Sequence, residues 1–522
     1  MKTSRRRENP LWFILLSAAA SAAGCGDSSA DGSRVDVPRP NAPVEGRAGA
    51  DGKVCPEPSG LLPETGPESV VGDGKPESCT EDVLRQQLGA GGRVRFNCGP
   101  ALHTITLSRP YYVAKDVTID GGGRIALSGG KRVRIFDGGS VGVTLRLANI
   151  TLRDGLSESD GAAGVHLGWN RNIVAVNTTF VNNVNAHVNG ERTGGAVALH
   201  SGRGTFVNCV FRDNSGRMGA GINNLLSDLT VINSTFINNT PPAAITNESV
   251  GGGIYIDGGY VLQISDERRG KITICGSRFE NNTGAQGGAL FYCGYGEDRA
   301  TISRSSFIGN HAPGGQGGGI WNGCNAQLDI TASTLAGNDG ARYGGAIWSD
   351  STIDKLLTIT SSTLVDNHAQ GTDALGGAIW ADSKQRIRLR DVTIARNSAE
   401  GYGGGPAGGL IDAKNTIIAY NTAGNRYNIK HACGTTFVSS SNNIQFPNRV
   451  GNLNDPNNTL CHPDIVIADP ALEDLAENGG PTQTVATRAG SPAVDKGEGC
   501  VLTDQRGQSR VRACDIGAFE QQ

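Results

Sequence analysis

"DGARYGGAIWSD", Asp339 to Asp350, is followed 32 residues later by "DALGGAIWAD", Asp373 to Asp382, nearly the same text. Working outward, an apolar residue followed three positions later by asparagine recurs as FVNN, FRDN, FINN, FENN, FIGN, LAGN, LVDN, IARN and IAYN, starting at Phe180, Phe211, Phe236, Phe279, Phe307, Leu335, Leu364, Ile394 and Ile418. Successive starts lie 31, 25, 43, 28, 28, 29, 30 and 24 residues apart. A repeat in the high twenties is a solenoid period. Between these units falls a glycine pair: Gly194-Gly195, Gly251-Gly252, Gly287-Gly288, Gly317-Gly318, Gly344-Gly345, Gly376-Gly377 and Gly408-Gly409, with Gly219 to Gly221 standing in once. Each repeat holds one β-run ending at the F-x-x-N turn, one starting after the glycines, and a weaker third such as "ATIS" or "LDIT". Three short strands per repeat, and no helix-length amphipathic pattern after residue 90, predict an all-β fold: a coil of parallel strands, a parallel β-helix.

In such a coil equivalent residues stack at roughly 4.8 Å and form columns. Asn183, Asn214, Asn239, Asn282, Asn310, Asn338, Asn367, Asn397 and Asn421 form one column, expected to be a structural ladder because an amide both donates and accepts. After the glycines an aliphatic column runs Val197, Ile222, Ile254, Leu290, Ile320, Ile347, Ile379 and Leu410, predicted to fill the interior. One residue on, Ala198, Asn223, Tyr255, Phe291, Trp321, Trp348, Trp380 and Ile411 should face outward by strand alternation. Stacked outward aromatics either contact the flat faces of sugar rings or lie under an inserted loop. The gap from asparagine to glycine pair varies from 5 to 12 residues, which places the variable loops at that corner.

The 522-residue chain contains 76 glycines and carries a formal charge of −3. Its amino terminus is basic ("MKTSRRRENP"), then apolar from Leu11, then small ("SAAGC", ending at Cys25), the pattern of a bacterial export signal. Removing residues 1–24 takes away Lys2, Arg5, Arg6, Arg7 and Glu8, a net +3, and leaves −6. Nothing in that balance attracts nucleic acid. Residues 25–77 are rich in Gly, Pro, Ser and Asp without apolar period and are expected to be a disordered tether. "SCTEDVLRQQLGAGG" predicts a short helix with Ser78 as N-cap, Glu81 three later and Gly89 as terminator, plugging the first coil. Twelve cysteines include Cys25; of the other eleven, Cys79 with Cys98, Cys433 with Cys461 and Cys500 with Cys514 are the expected disulfides, and an odd number leaves at least one thiol unpaired.

Several stretches resemble known families. "SAAGC" resembles a lipoprotein signal, which implies a diacylglycerol on Cys25; Ala22 stands where such signals favour leucine, and an ordinary secretory signal is the alternative. "VRFNCG", "VTIDGGG" and the GGAI/FxxN series resemble bacterial β-helix surface proteins of pectin-lyase-like fold, which implies a right-handed, single-stranded parallel β-helix, and the repeats are similar to those of chlamydial polymorphic outer-membrane proteins. "NGGPTQTVA" (Asn478 to Ala486), "GSPAVDKG" (Gly490 to Gly497), "TDQRG" (Thr503 to Gly507) and "CDIGAFE" (Cys514 to Glu520) resemble the closing segment of choice-of-anchor Q proteins. The resemblance implies a surface or secreted β-helix, here attached through the amino-terminal lipid to the outer membrane. It divides the chain into signal 1–24, tether 25–77, β-helix 78–475 and capping segment 476–522, in which Asp495, Asp504, Arg506 and Asp515 form a polar network or, alternatively, hold a cation such as Ca2+.

The expected role is a non-catalytic adhesive or glycan-contacting one, with Tyr255, Phe291, Trp321, Trp348 and Trp380 as contact residues and a polysaccharide or another surface protein as partner. The alternative is a polysaccharide lyase or hydrolase, since such enzymes share the pectin-lyase-like fold. That chemistry needs carboxylates on neighbouring coils. Asp350, Asp354, Asp373 and Asp382, followed by Lys384 and Arg386, come nearest, with Asp350, Asp382 and Arg386 the weak catalytic candidates. No Cys/His spacing indicates a metal site. His311 and His368 are expected to be surface histidines without a carboxylate at fixed spacing.

Overall fold

A computed structural model describes residues 54–63, 67–190, 193–259, 270–325, 327–351, 355–511 and 513–522. The signal, Cys25 and Asp354 lie outside them. The described chain is a β-solenoid of about 13 turns with one α-helix, near its amino terminus. Three parallel ladders run its length. The first joins Val165–Trp169, Val197–His200, Ile222–Leu225, Ile254–Asp257, Leu290–Gly294, Ile320–Cys324 and Ile347–Ser351. The second contains Asn172–Val176 through Leu356–Thr360, and the third Thr179–Val181 through Ile417–Ala419.

The turns arise from local chemistry. Gly344 sits at φ +67°, and a Cβ there would lie 2.1 Å from the carbonyl oxygen of Ile347; a Cβ on Gly345 would lie 2.3 Å from that of Gly377. The pair is therefore required twice over, once for conformation and once for contact between coils. At the other corner the left-handed residue is the one before the ladder asparagine: Asn182, Asp213, Asn238, Asn281, Gly309, Gly337, Asp366, Arg396 and Tyr420, with φ from 53° to 60°.

The interior is a set of columns. Val197, Ile222, Ile254, Leu290, Ile320, Ile347 and Ile379 are fully buried. Phe180, Phe211, Phe236, Phe279 and Phe307 stack face to face with centroids 4.5–4.7 Å apart. In the asparagine column each Nδ2 donates to the next Oδ1 at 2.8–3.0 Å, unbroken from Asn183 to Asn421.

Several boundaries differ from the sequence expectations. The glycine pair of the last "GG" repeat is Gly403-Gly404, not Gly408-Gly409: Pro406 pairs with Ile379 and Ala407 with Trp380, while Leu410 and Ile411 pair with Arg386 and Ile387 in the second ladder. Six glycines in "GYGGGPAGG" made two registers equally legible. Loop length also varies at a second corner, between first and second ladders, where buried Asp298 accepts from the backbone N–H of Gly259 (2.9 Å), Gly270 (2.5 Å) and Tyr295 (3.0 Å) and ties off an insertion. The helix spans Glu81–Ala90, with Thr80 rather than Ser78 as N-cap and Gly91 rather than Gly89 as its end. Leu84 and Leu88 seat it in the core.

Residues from Val54 on, expected to belong to a disordered tether over 25–77, are in part ordered against the coils. Glu68–Val71 already pairs in parallel with Gly92–Phe96, and the arm around Cys55 is docked on the coils. Cys55 bonds Cys275, its backbone exchanges hydrogen bonds with the Asn233 side chain (both 2.9 Å), and Val54 and Leu61 cover Val207 and Ile232. The remaining disulfides are Cys79–Cys98, Cys293–Cys324, Cys433–Cys461 and Cys500–Cys514. Among the described residues Cys209 is the free thiol, and it is buried.

Segment 476–522 lies along the flank rather than as a plug over the end. Leu472, Val485, Ala493 and Ile516 pack on Ala336, Val365, Ala395 and Ala419, the outward positions of the third ladder. Phe437, Cys461 and Ile465 close the core at the carboxy end.

Candidate functional site

The outward column after the glycines holds the aromatic candidates. Strand alternation brings Tyr255, Phe291, Trp321, Trp348 and Trp380 to one line, each beside the next in register. Centroid separations along it are 5.4, 4.0, 4.7 and 5.7 Å, with ring planes within 26° of parallel. The rings therefore cover one another. Trp348 is buried between two indoles; Phe291, Trp321 and Trp380 remain half-buried. Trp321 also lies over Gly323, where a Cβ would meet the indole at 2.2 Å.

The stack stops at Trp380. On its amino-terminal side Trp380 meets Trp348 and also Tyr343, whose ring is 5.1 Å away. On the other side the next coil supplies Ala407 in place of a ring. There a cleft of about 590 Å³ opens, lined by Leu375, Trp380, Tyr402, Tyr427, Lys430 and Asp455 among others. Two sequence features make it. The strand pairing shifts between Ala381 and Arg386, so residues 382–385 of the long strand Ile379–Arg390 face a single residue, Gly409, in the following coil. Gly434 then packs close on Ala407, where a Cβ would come within 2.7 Å of the alanine methyl. Reading "GG" to Leu410 hid this: the true column ends on alanine.

The acidic candidates fall close by. Pairing of Ser349 with Ala381 brings Asp350 next to Asp382 on successive coils. Burial and then the Asp382 charge push the Asp350 carboxyl above its usual range. Asp382 accepts from the backbone N–H of Lys384 at 3.0 Å, a turn-forming bond. Arg386 lies in the second ladder, paired with Leu356 and Leu410, on the far side of that turn. Among the described residues no three of His, Cys, Asp and Glu gather as a metal site. The histidines do have carboxylates one coil away: His311 Nδ1 is 3.1 Å from Asp339 and His368 Nε2 3.4 Å from Glu400. The coil period hid both partners from a search at short sequence spacing.

In the tail, Asp504 accepts from Arg506 Nε (2.7 Å) and from the backbone N–H of Arg506, Gln508 and Glu520. Asp515 accepts from the backbone of Asp495, and Arg510 pairs with buried Glu520 at 3.0 Å. These carboxylates are occupied by donors from the tail itself.

Sequence reading missed a serine column. Ser277, Ser305, Ser333 and Ser362 each accept from the backbone N–H of the coil before, at 3.1–3.2 Å. Cys209 occupies the same column, its backbone N–H donating to Ser234 Oγ at 3.0 Å. Burial pushes its thiol up to about 12, so it is inert at neutral pH.

Fold and site together define a parallel β-solenoid bearing an outward aromatic stack. Searched against family models and curated proteins, the chain matches none.

Proposed function

We propose that the chain is an exported bacterial surface protein, carried on the outer membrane by a lipid on Cys25, with a non-catalytic role in contacting glycans or another surface protein. Five disulfides in the described residues support the exported setting, because such bonds persist in oxidising compartments. The export-signal pattern ending at Cys25 and the choice-of-anchor Q resemblance of the tail agree with display at a surface. The observation that carries the contact role is the aromatic stack itself: five rings in line on the outward side of the solenoid, three of them half-exposed. Aromatic edges and faces beside polar groups are what sugar C–H surfaces and protein partners both use.

Two measurements test this. Labelled-lipid incorporation should appear in the wild type and vanish in Cys25→Ser; continued labelling of the mutant refutes the anchor. Retention of the purified protein on immobilised bacterial and host polysaccharides should fall when Trp321, Trp348 and Trp380 are changed together to alanine, and unchanged retention makes the stack purely structural.

The adjacency of Asp350 and Asp382 favours one second reading, cleavage of a uronate-containing polysaccharide with Asp350 as a proton-holding group. Incubation with such glycans, followed by absorbance of unsaturated products, decides it. Product formation that depends on Asp382 or Arg386 would displace the non-catalytic reading.

A further inference from the structure

We propose that the cleft beyond Trp380 is a binding site for one neutral pyranose ring, stacked on the indole face that the solenoid leaves uncovered; this rests on the glycan-contacting reading above. Along the stack every ring from Phe291 to Trp348 has a neighbour on both faces. Trp380 has its partners, Trp348 and Tyr343, on the preceding coil, and Ala407 takes the place of a ring on the next. One coil spacing is the thickness of one stacked ring. The site is thus the next position in an existing ladder, with its occupant missing from the chain.

The surroundings suit a sugar. The volume, about 590 Å³, is that of a small-molecule site. Tyr402 and the exposed Tyr427 bound it with further rings. Arg426 stacks over the Tyr427 ring and donates to its hydroxyl, which fixes that ring at the rim. Asp455, Asn457 and Lys430 also line it and supply acceptors and donors for hydroxyl groups. Asp455 is itself set by bonds from the Asn457 backbone (2.8 Å) and amide (3.0 Å).

Charge argues for a neutral ring. One cation, Lys430, and one anion, Asp455, line the cleft. A carboxylated or aminated sugar would meet an opposing group on one wall or the other. A hexopyranoside presents an apolar C–H face to Trp380 and hydroxyls to the polar wall.

Saturation-transfer NMR on the full chain with methyl gluco-, galacto- and mannopyranoside, and methyl glucuronide as the charged comparison, tests this. At least one neutral glycoside should receive magnetisation chiefly at its ring C–H protons, and Trp380→Ala should weaken its binding about tenfold, the worth of about 1.4 kcal/mol. Ala407→Trp should abolish binding by a different route, since the new indole completes the ladder and fills the site; far-UV circular dichroism checks that both variants keep their coils. Trp169→Ala should leave binding unchanged. No transfer to any neutral glycoside, stronger transfer to the glucuronide, or binding unaltered in both cleft variants overturns the proposal. Retention on immobilised polysaccharide separates the two levels. If the wild type is retained and Ala407→Trp equally so, the cleft falls and glycan contact stands. If the wild type is not retained at all, both fall.

Discussion

Asn310 shows what one side chain does in a stacked architecture. Its Oδ1 accepts from both the backbone and amide of Asn282 (3.0 Å each), and its Nδ2 donates to Phe279 carbonyl (3.1 Å) and Asn338 Oδ1 (2.9 Å). Every polar atom is satisfied at full burial. Asn310→Ala strands a backbone N–H and an amide of Asn282 and should lower stability by about 2–4 kcal/mol, read from denaturant unfolding. A loss under half a kcal/mol would mean the ladder relaxes around the gap. Asp350 works in the opposite sense. Its folded value lies above the ordinary 3.8, so the native state holds the proton more tightly than the unfolded chain. Stability is then lost as pH rises from about 3.8 through the raised value, and the penalty is fully present at neutral pH. Asp350→Asn should raise the melting temperature at pH 7, with the gain fading below pH 3.8. A gain independent of pH would point to a cause other than charge. The asparagines were legible because nothing else substitutes in their column, whereas the serine column was not, since cysteine and threonine share it and only the backbone shows that Ser277 or Ser305 caps a strand.

At the scale of elements, the carboxy-terminal strap depends on Gln505. Buried, it accepts from Thr363 Oγ1 (2.6 Å) and donates to Thr334 Oγ1 (2.8 Å) and Thr482 Oγ1 (2.9 Å), linking the tail to two coils. Gln505→Ala should cost about 1–3 kcal/mol through these abandoned groups and, if the strap loosens, open the Val365–Ala395 stripe to a hydrophobic dye. Full stability with no dye binding would show the strap held by its apolar contacts alone. The tail's sequence motifs were visible, but their place on the flank was not. What receives them is a row of small residues, Ala336, Val365, Ala395 and Ala419, that looks like any strand surface until the register is known. The amino-terminal arm was misread for a similar reason: "VCPEPSGLLP" has too few apolar residues to form a core and docks by borrowing Val207, Ile232 and Cys275 from the coils. In Cys55→Ser, limited proteolysis should nick the arm between residues 54 and 67 while the coils stay intact. Equal protection in mutant and wild type would show that Asn233 and the apolar patch hold it unaided.

The whole molecule was the most legible level, because a solenoid writes its architecture many times over. Of the thirteen or so turns, nine carry the asparagine bend and eight the glycine joint with its aliphatic interior position, so single errors such as the Gly408-Gly409 register did not disturb the fold. That same error erased the candidate site, since a site occurs once and lies where the repeat breaks. Trp380 differs from Trp348 in its neighbour on the next coil, Ala407 in place of another ring, and a periodic reading averages that difference away.

The docking of Cys55 on Cys275 has a mechanical meaning. Any tension on the chain ahead of Cys55 passes through the disulfide into the coil of Lys271–Cys275 and bypasses the helix and the coils before it. From there Trp380 is four coils on, about 20 Å at the spacing of stacked strands. A load applied between the amino-terminal segment and the end of the aromatic stack is borne by that short central span, so the first coils cannot be peeled away from their free end while the bond holds.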